Sequence, residues 1–254
     1  MSVSLEVTFA PAEFEALARR DLGHTVCVVF DVLRATSSMV TALGHGAAGL
    51  IPVSGIPEAL ALRRGRPELL LAGERQGVRI RAAQTGGVDF DLGNSPREFT
   101  RERVEGRTIV MTTTNGTRAL RACTGALRVL AGSFLNLGAL VRLIEQQRPP
   151  NLLLVCSGTL EQAAFEDALG AGALADAVWP LYADGTVGDA AQLARHTYRH
   201  FARDLPAAFR LGRNGRRLLE QPELRDDVAV CARVDDFAVV PALQADGVVR
   251  VLPE

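Results

Sequence analysis

Short apolar runs alternate with helix-like segments along most of this chain. Each run has the length of a strand and is apolar throughout, which is typical of strands that are covered on both faces. The six runs are Val26–Phe30, Leu50–Val53, Leu69–Leu71, Thr108–Met111, Leu127–Ala131 and Leu152–Cys156. Strands that alternate with helices form βαβ units with right-handed crossovers, so the pattern predicts a mainly parallel sheet.

The end of the chain has a different pattern. A long helical segment, AQLARHTYRHFARDL, is followed by three β-rich runs, VAVCAR, FAVVP and GVVRVL. We expect these runs to form late antiparallel edge strands, which makes the sheet mixed. No repeat, low-complexity tract or Pro/Gly linker interrupts the sequence. We therefore predict one α/β domain over residues 1–254, a three-layer α/β/α sandwich.

The charge balance restricts the partners. The 28 cationic side chains, all of them Arg, face 29 acidic ones, for a net charge of −1. This balance gives no general attraction to nucleic acid or to anionic membranes. The absence of Lys excludes Schiff-base chemistry and a Walker-type phosphate Lys, whereas the planar fork of Arg can bind an oxyanion bidentately. We therefore expect a small anionic ligand.

The cysteines indicate a reducing compartment. The four Cys are widely spaced and form no CxxC pair, so we expect buried, reduced thiols. No apolar stretch reaches the roughly 20 residues of a membrane span, and the N-terminus lacks a secretion-signal pattern. We expect a cytoplasmic protein, and the sequence leaves open whether it forms a homo-oligomer.

Polar residues directly after the strands are the first candidates for a site, because ligands of open α/β sheets gather at the carboxyl ends of the strands. Asp31 ends the first buried run, Arg34 follows three residues later, and hydroxyl residues open the next helix. This set would suit a metal together with an oxyanion. The alternative is that Thr36 only caps the helix while Asp31 and Arg34 pair with each other.

The strongest local signal follows the run that ends at Met111. Successive hydroxyls, a glycine and an Arg at a helix start together predict an anion cradle, and we favour phosphate. An ordinary βα turn would explain only the Asn-Gly pair. The residues of this segment are Thr112, Thr113, Thr114, Asn115, Gly116, Thr117 and Arg118.

Three further segments follow strands or precede helices. Glu74 and Arg75 come after Leu71, and a long connection then leads through Asp91 to Asn94 and Ser95, where Ser95-Pro96 is a helix cap. Ser157 and Gly158 form a second hydroxyl-glycine turn. The adjacent acids Glu166 and Asp167 project about 100° apart on a helix, so we expect one metal ligand and one structural acid.

Taken together, these segments resemble the 2-phosphosulfolactate phosphatase family. The resemblance runs from about Val26 to Pro241 and is carried by VVFDVLRATSSMVTAL, LLAGERQGVRI, FDLGNSPREF, IVMTTTNGTRAL, AGSFLN and VCSG…EDALGAGAL. It implies a magnesium-dependent phosphatase that converts 2-phospho-3-sulfolactate to 3-sulfolactate and phosphate, on the sulfolactate branch toward coenzyme M. The sequence departs from the family pattern at Gly188 and Ala190, which lose polar groups, and at Asn214, which stands in place of a histidine.

The expected site follows from the residues and the resemblance together. The candidate catalytic residues are Asp31, Arg34, Glu74 and Asp91. Asp31, with Glu166 or Asp167, is expected to bind Mg²⁺. The substrate- and phosphate-binding candidates are Arg75, Asn94, Ser95, Thr112, Thr113, Thr114, Asn115, Gly116, Thr117, Arg118, Ser157 and Gly158. Whether Asp31 attacks phosphorus covalently or only binds metal stays open.

Three alternatives compete with this interpretation. The haloacid dehalogenase type of phosphatase needs DxDxT, but Leu33 stands two residues after Asp31. A catalytically silent anion-binding protein on the same sheet is a second alternative, based on the changes at Gly188, Ala190 and Asn214. The third is a phosphatase for another 2-phosphorylated hydroxy acid.

Overall fold

A computed structural model describes residues 3–253 and confirms the α/β fold class with a single mixed sheet. The strands are β1 (Ser4–Thr8), β2 (Thr25–Phe30), β3 (Gly49–Pro52), β4 (Leu70–Arg75), β5 (Val78–Arg79), β6 (Thr108–Thr112), β7 (Arg128–Gly132), β8 (Asn151–Cys156), β9 (Thr186–Val187), β10 (Pro241–Leu243) and β11 (Val249–Val251). Their order across the sheet is β5-β4-β6-β3-β11-β10-β7-β2-β8-β1-β9. All six apolar runs predicted as strands lie in strands of this sheet.

The helices alternate with the strands as the sequence predicts. They are α1 (Phe14–Ala18), α2 (Ala35–Gly44), α3 (Ile56–Gly65), α4 (Ala82–Thr85), α5 (Arg101–Val104), α6 (Gly116–Ala122), α7 (Leu137–Gln147), α8 (Phe165–Ala177), α9 (Trp179–Tyr182), α10 (Asp189–Phe201), α11 (Leu205–Leu211), α12 (Arg213–Leu219) and α13 (Asp226–Cys231). Short 3₁₀ turns occupy Pro11–Glu13, Pro96–Glu98 and Phe134–Asn136. Within residues 3–253, no helix is long and apolar enough to cross a membrane.

The central strands are buried on both faces. In β2, Val28 and Phe30 pack into one layer of the core with α7, α8 and α10, while Cys27 and Val29 pack into the opposite layer with α2 and α6. β8 alternates in the same way. This arrangement explains why the runs are apolar throughout. All four cysteines are buried and free, as predicted.

The last part of the chain corrects two predictions. VAVCAR was expected to be a strand, but it lies mostly in α13, where Val228 and Cys231 face the core at helical spacing. The acids at the start of this segment suit a helix N-terminus. Of FAVVP, only Pro241 belongs to a strand, whereas GVVRVL contains β11 as predicted.

The late strands are antiparallel as predicted, but they lie in the middle of the sheet, not at an edge. β10 pairs with β7 and β11 pairs with β3, so this hairpin joins two parallel blocks, β4-β6-β3 and β7-β2-β8-β1-β9. The sequences of β10 and β11 would suit an edge of the sheet equally well. Their central position follows from the pairing partners available to them, β7 of one block and β3 of the other.

The hairpin also sets how the two blocks meet. Because three successive pairings are antiparallel, the blocks run in opposite directions along the sheet. The loops after β6 and β8 nevertheless meet: Asn115 after β6 donates through Nδ2 to the carbonyl of Ser157 after β8, at 3.2 Å.

Candidate active site

A cavity of about 860 Å³ lies where β2, β4, β6 and β8 end. One wall consists of residues that follow these strands, including Asp31, Glu74, Asn115 and Gly158. α12 forms the facing wall. The structure brings Asp31, Glu74 and Asn115, which are far apart in the chain, to this cavity as expected, whereas Asp91 lies outside it.

Asp31 is half-buried between two helix starts. Its Oδ1 accepts a hydrogen bond from the N–H of Ala35 (3.0 Å) at the start of α2. A Cβ added to Gly116 would lie 2.6 Å from Asp31 Oδ2, so only glycine lets α6 begin this close to the carboxylate. Burial raises the pKa of Asp31, and the negative charge of Glu74 raises it further, while the hydrogen bonds from Ala35 and Ser157 oppose the shift.

Arg34 does not pair with Asp31, which removes that alternative. Its Nη1 forms a buried ion pair with Asp227 Oδ2 (2.7 Å), and its Nη2 donates to the carbonyl of Gly77 (2.6 Å). Asp227 Oδ1 also accepts from Ser95 Oγ (2.6 Å) and Arg97 Nε (2.8 Å). Arg34 lines the cavity in a fixed orientation. Ser95 contributes by donating a hydrogen bond to Asp227, the partner of Arg34.

Asp227 is a residue that sequence reasoning missed. It is fully buried on α13, directly before the run VAVCAR that was predicted as a strand. The available signal was the acidic pair Asp226-Asp227 directly before an apolar run, a common pattern at a helix start.

Glu74 connects two turns at the edge of the cavity. Its Oε1 accepts from the N–H (2.9 Å) and Oγ1 (2.8 Å) of Thr114, and its Oε2 accepts from the N–H of Gly77 (2.6 Å). Arg75 lies beside it, with Nη2 donating to Thr112 Oγ1 (3.1 Å). Both side chains line or border the cleft in positions set by neighbouring loops.

The hydroxyl groups of the threonine segment are bonded within the protein and are not left free to bind an anion. Thr113 Oγ1 accepts from the N–H of Thr117 (3.3 Å), and Thr117 Oγ1 donates back to the Thr113 carbonyl (3.3 Å). These hydroxyls, like those of Thr112 and Thr114, are engaged by the protein itself. Only Thr114 and Asn115 of this segment line the cavity.

Two amide oxygens in the cleft lack donors. Asn115 binds the carbonyls of Ser157 (3.2 Å) and Leu160 (3.0 Å) through Nδ2, which leaves its buried Oδ1 without a partner among residues 3–253. The Oδ1 of Asn94 is also buried and has no hydrogen-bond partner among residues 3–253. Both residues line the cavity, so both oxygens are available to a donor or a cation there.

The acids at the start of α8 differ in their bonding. Asp167 accepts from Val32 N–H (2.8 Å), Gly158 N–H (3.0 Å) and Ser157 Oγ (3.1 Å), and so ties together the loops after β2 and β8. Glu166 accepts from Asn214 at Oε1, while its buried Oε2 has no partner in the described part of the chain. Asp167 is therefore structural, whereas Glu166 keeps one oxygen free, and its role as a metal ligand stays a prediction.

Burial also raises the pKa of both acids. The pKa of Asp167 lies well above its usual range, because burial acts together with the charges of Asp31 and Glu166. Burial is the main cause for Glu166 too, with the hydrogen bond from Asn214 opposing the shift. Three carboxyl groups with raised pKa values therefore lie close together.

The donor set fits a magnesium ion. Among residues 3–253, no three His, Cys, Asp or Glu side chains are grouped as a metal site. Mg²⁺ commonly uses only one or two carboxylates, together with waters and substrate phosphate. Asp31 and the free Oε2 of Glu166 supply that number, and a bound cation would favour their charged forms.

Several expected site residues lie elsewhere. Asp91 does not line the cleft; its Oδ2 accepts from Leu71 N–H (2.8 Å) and Arg63 (2.7 Å), which fixes the start of β4. Arg118 points away from the cavity and pairs with Glu161 at 3.0 Å, with their side chains 49% and 61% exposed. For both residues, an acceptor or donor distant in sequence decides where the charged group points.

The three departures from the family pattern fall in two places. Gly188 and Ala190 lie at the start of α10 beside β1, outside the cavity lining, where the Gly188 N–H donates to the carbonyl of Leu5 (3.0 Å). Asn214 lines the cavity and donates to Thr159 Oγ1 (2.6 Å) and to Glu166. An amide can hold Glu166 in this way without a histidine.

Four cavity arginines were not identified from the sequence: Arg79, Arg81, Arg213 and Arg217. Arg79 pairs with Glu98, and Arg213 donates to Gln162 Oε1 (2.8 Å) and the Thr159 carbonyl (2.9 Å). Arg213 and Arg217 are four residues apart and so share a face of α12. That spacing was the readable signal.

Comparison with known proteins identifies the family to which this chain belongs. The family described as 2-phosphosulpholactate phosphatase matches residues 13–246. A probable 2-phosphosulfolactate phosphatase of Caldanaerobacter subterraneus subsp. tengcongensis is 38% identical over 93% of this chain and 95% of its own. Proteins with the same name from Symbiobacterium thermophilum and Synechococcus sp. are 34% and 38% identical, covering 96% and 88% of this chain and 98% and 91% of theirs.

Proposed function

Because this chain belongs to the 2-phosphosulpholactate phosphatase family, we propose that it hydrolyses 2-phospho-3-sulfolactate to 3-sulfolactate and inorganic phosphate with Mg²⁺. Family membership makes it a phosphatase, a hydrolase of phosphomonoesters. The substrate, the metal and a place on a route toward coenzyme M are the proposed parts. The buried, free cysteines are typical of a reducing compartment and support a cytoplasmic site of action.

The observation that carries the proposal is the charge of the cleft. Six arginines line the cavity against two acids, Asp31 and Glu74. Arg34 and Arg79 are neutralised by Asp227 and Glu98, which leaves four arginines without an acidic partner among residues 3–253. A substrate that carries phosphate, carboxylate and sulfonate groups is complementary to this excess of positive charge.

The site can assist hydrolysis in several ways. When bound, Mg²⁺ neutralises phosphoryl oxygens and orients water or the phosphoryl group. Asp31 lies beside the starts of α2 and α6, where the positive ends of the helix dipoles favour negative charge. Arg75, held by Thr112, supplies a fixed cation at the same edge. Together these groups oppose the charge that repels an incoming nucleophile.

Two routes are open to Asp31. It can attack phosphorus and form an acyl phosphate while the P–O bond to the 2-oxygen of the substrate breaks and 3-sulfolactate leaves with a proton from water; a second water then hydrolyses the acyl phosphate. Alternatively, Asp31 can hold metal while water attacks phosphorus directly and displaces the same oxygen. Acid quenching after mixing with ³²P-labelled substrate distinguishes the routes, because only the first leaves label on the protein.

The direct test is hydrolysis by the purified chain of 2-phosphosulfolactate, of 2-phospholactate and of p-nitrophenyl phosphate, each with Mg²⁺ and with a chelator. We expect magnesium-dependent phosphate release with the highest kcat/KM for 2-phosphosulfolactate. A higher kcat/KM for 2-phospholactate would favour a different 2-phosphorylated hydroxy acid. Absence of release from all three would contradict the proposed activity.

A further inference from the structure

α12 presents to the cavity a row of side chains that the reaction at Asp31 does not use. Arg213, Arg217 and Gln221 follow one another at intervals of four residues, and all three line the cavity. Gln221 lies two residues beyond the end of the helix, and its Oε1 is buried with no partner among residues 3–253. The row therefore contains polar groups that the protein itself leaves unsatisfied.

Arg217 differs from four other arginines of the cavity. Arg34 and Arg79 form ion pairs, and Arg75 and Arg213 donate to neutral oxygens. Arg217 is half-buried, but no acceptor within residues 3–253 lies in hydrogen-bond or ion-pair range of its guanidinium. Its five donors are therefore free to bind the oxygens of an anionic ligand.

The position of Arg217 is defined by the turn between β4 and β5. Its Nη2 lies 3.2 Å from where a Cβ on Gly77 would be, so a side chain there would displace the guanidinium. Gly77 has a φ of +82°, which also favours glycine. The carbonyl of Gly77 accepts from Arg34, so the two guanidinium groups flank one turn.

Glu74 lies between the guanidinium of Arg217 and the part of the cavity that contains Asp31. Oε2 of Glu74 is bonded to Gly77, on the side of Arg217, and Oε1 is bonded to Thr114, on the side of the loop that carries Asn115. A phosphate beside Asp31 therefore leaves Arg217 to another group of the same molecule.

We propose that Arg217 binds the acidic group that the substrate carries in addition to its phosphate, and so determines specificity for phosphorylated acids. The inference rests on the proposed function. A sulfonate or a carboxylate presents oxygens that the guanidinium fork can bind bidentately, which is the chemistry the two groups share. The Gln221 amide lies on the same wall to assist.

The test compares Arg217→Ala with Arg216→Ala, a neighbour that is exposed and donates to the carbonyl of Leu211. With 2-phosphosulfolactate, we expect Arg217→Ala to raise KM by about ten- to a hundredfold, the loss of one charge-assisted contact, with kcat within about threefold. Arg216→Ala should match the wild type. Arg217→Lys should recover part of the affinity, since it keeps the charge but not the fork.

Three substrates identify the group bound. An effect on 2-phosphosulfolactate alone assigns the sulfonate, and an equal effect on 2-phospholactate assigns the carboxylate; either outcome supports the proposal. An equal rise in KM for p-nitrophenyl phosphate, which has no second acid, would mean that Arg217 binds phosphate and would overturn it. No change with any substrate would overturn it too.

A readout without turnover separates this inference from the proposed activity. Calorimetric titration with 3-sulfolactate should show weaker binding to Arg217→Ala than to the wild type, while inorganic phosphate binds both equally. If the wild type hydrolyses no phosphomonoester, the proposed function fails, and this titration still decides the role of Arg217. Equal binding of 3-sulfolactate to both proteins contradicts the inference.

Discussion

The two walls of the cleft are built on opposite plans. On the wall formed by strand ends, Glu74 accepts from the N–H groups of Gly77 and Thr114, and behind this wall Asp167 accepts from the N–H groups of Val32 and Gly158. On the α12 wall, Arg217 extends into the cavity without a partner among residues 3–253. The first wall is preorganised, which suits stabilisation of a transition state, and the second keeps its donors free for a ligand.

The walls also differ in charge. The strand-end wall concentrates Asp31, Glu74, Glu166 and Asp167, and burial raises the pKa of three of them. The α12 wall is cationic. Arginines also lie on the strand-end side, among them Arg34 and Arg75, so acids and cations are mixed there, whereas α12 supplies Arg213 and Arg217 and no acid.

The largest effect is expected at the reacting acid. Asp31→Asn removes the charge that ends β2 and should lower kcat/KM at least about a thousandfold, or ~4 kcal/mol. Thermal stability should not fall, because the change relieves repulsion from Glu74. The matched control is Asp91→Asn, an acid outside the cleft, which should retain activity within about threefold. Activity of Asp31→Asn within about tenfold of the wild type would show that Asp31 is not central.

Variants of Asp227 test how much its ion pair with Arg34 contributes to the free energy of unfolding. Asp227→Ala leaves the guanidinium of Arg34 buried and unpaired, with only 2% of its side chain exposed, and should cost about 3–5 kcal/mol in urea unfolding. Arg97→Ala removes another, partly exposed partner of Asp227 and should cost at most about 1 kcal/mol. Asp227→Asn keeps the shape if the alanine variant does not fold. Equal stability of all these variants would contradict the assigned role.

Gly116 tests the close approach of α6 to Asp31. A Cβ there would lie 2.6 Å from Asp31 Oδ2 and 2.7 Å from the Cβ of Ala35, so Gly116→Ala should destabilise the fold by about 1–3 kcal/mol. It should also reduce magnesium-dependent activity about tenfold. Gly65→Ala is the control, because no atom lies within 4 Å of its added Cβ. Unchanged activity in Gly116→Ala would show that this approach is dispensable.

The acid cluster predicts a pH dependence of stability. Asp31, Glu166 and Asp167 have raised pKa values, so above about pH 4 the folded chain binds more protons than the unfolded chain. The free energy of unfolding must then fall as pH rises from about 4 through the folded pKa values. In chelator, we expect Tm to fall between pH 5 and pH 8, and to fall less in Asp31→Asn.

Magnesium should oppose that trend. A cation favours the charged carboxylates, so Mg²⁺ binding should release protons and raise Tm more at pH 8 than at pH 5. Calorimetry in buffers of different ionisation enthalpy measures the protons released. Binding without proton release would argue against these acids as ligands.

The smallest effect is expected at Arg118. Its ion pair with Glu161 is about half exposed, and such pairs contribute about 0–1 kcal/mol. Arg118→Ala should leave the inhibition constant for inorganic phosphate within about twofold of the wild type. A tenfold weaker inhibition would restore the sequence-based expectation that Arg118 holds phosphate.

Much of the strand-end wall could be predicted from the chain alone. A continuous apolar run must be covered on both faces, and the residues after it must then lie at the sheet edge; this local logic located Asp31, Glu74, Asn115 and Gly158. It failed for Asp91, which also stands beside an apolar segment. Its carboxylate is taken by Arg63 and Leu71, contacts that no local pattern specifies.

The α12 wall could not be predicted in the same way. Helical spacing shows that Arg213 and Arg217 share a face, but not which surface that face meets. The segment after it was misread as a strand, since VAVCAR has strand-like composition when taken alone. Only the folded chain brings Asp227, the residue directly before that run, to Arg34 across 193 residues.

The sequence by itself determined the strands, the fold class and the acids and hydroxyls that end each strand, because apolar pattern and turn chemistry act over a few residues. The tertiary structure decided which of those groups remain available. Long-range partners such as Asp227 and Glu161 orient Arg34 and Arg118, and these contacts form only when distant segments of the chain fold together. A buried charged side chain is oriented by the partner that compensates its charge, and the local sequence does not specify which distant residue that partner is.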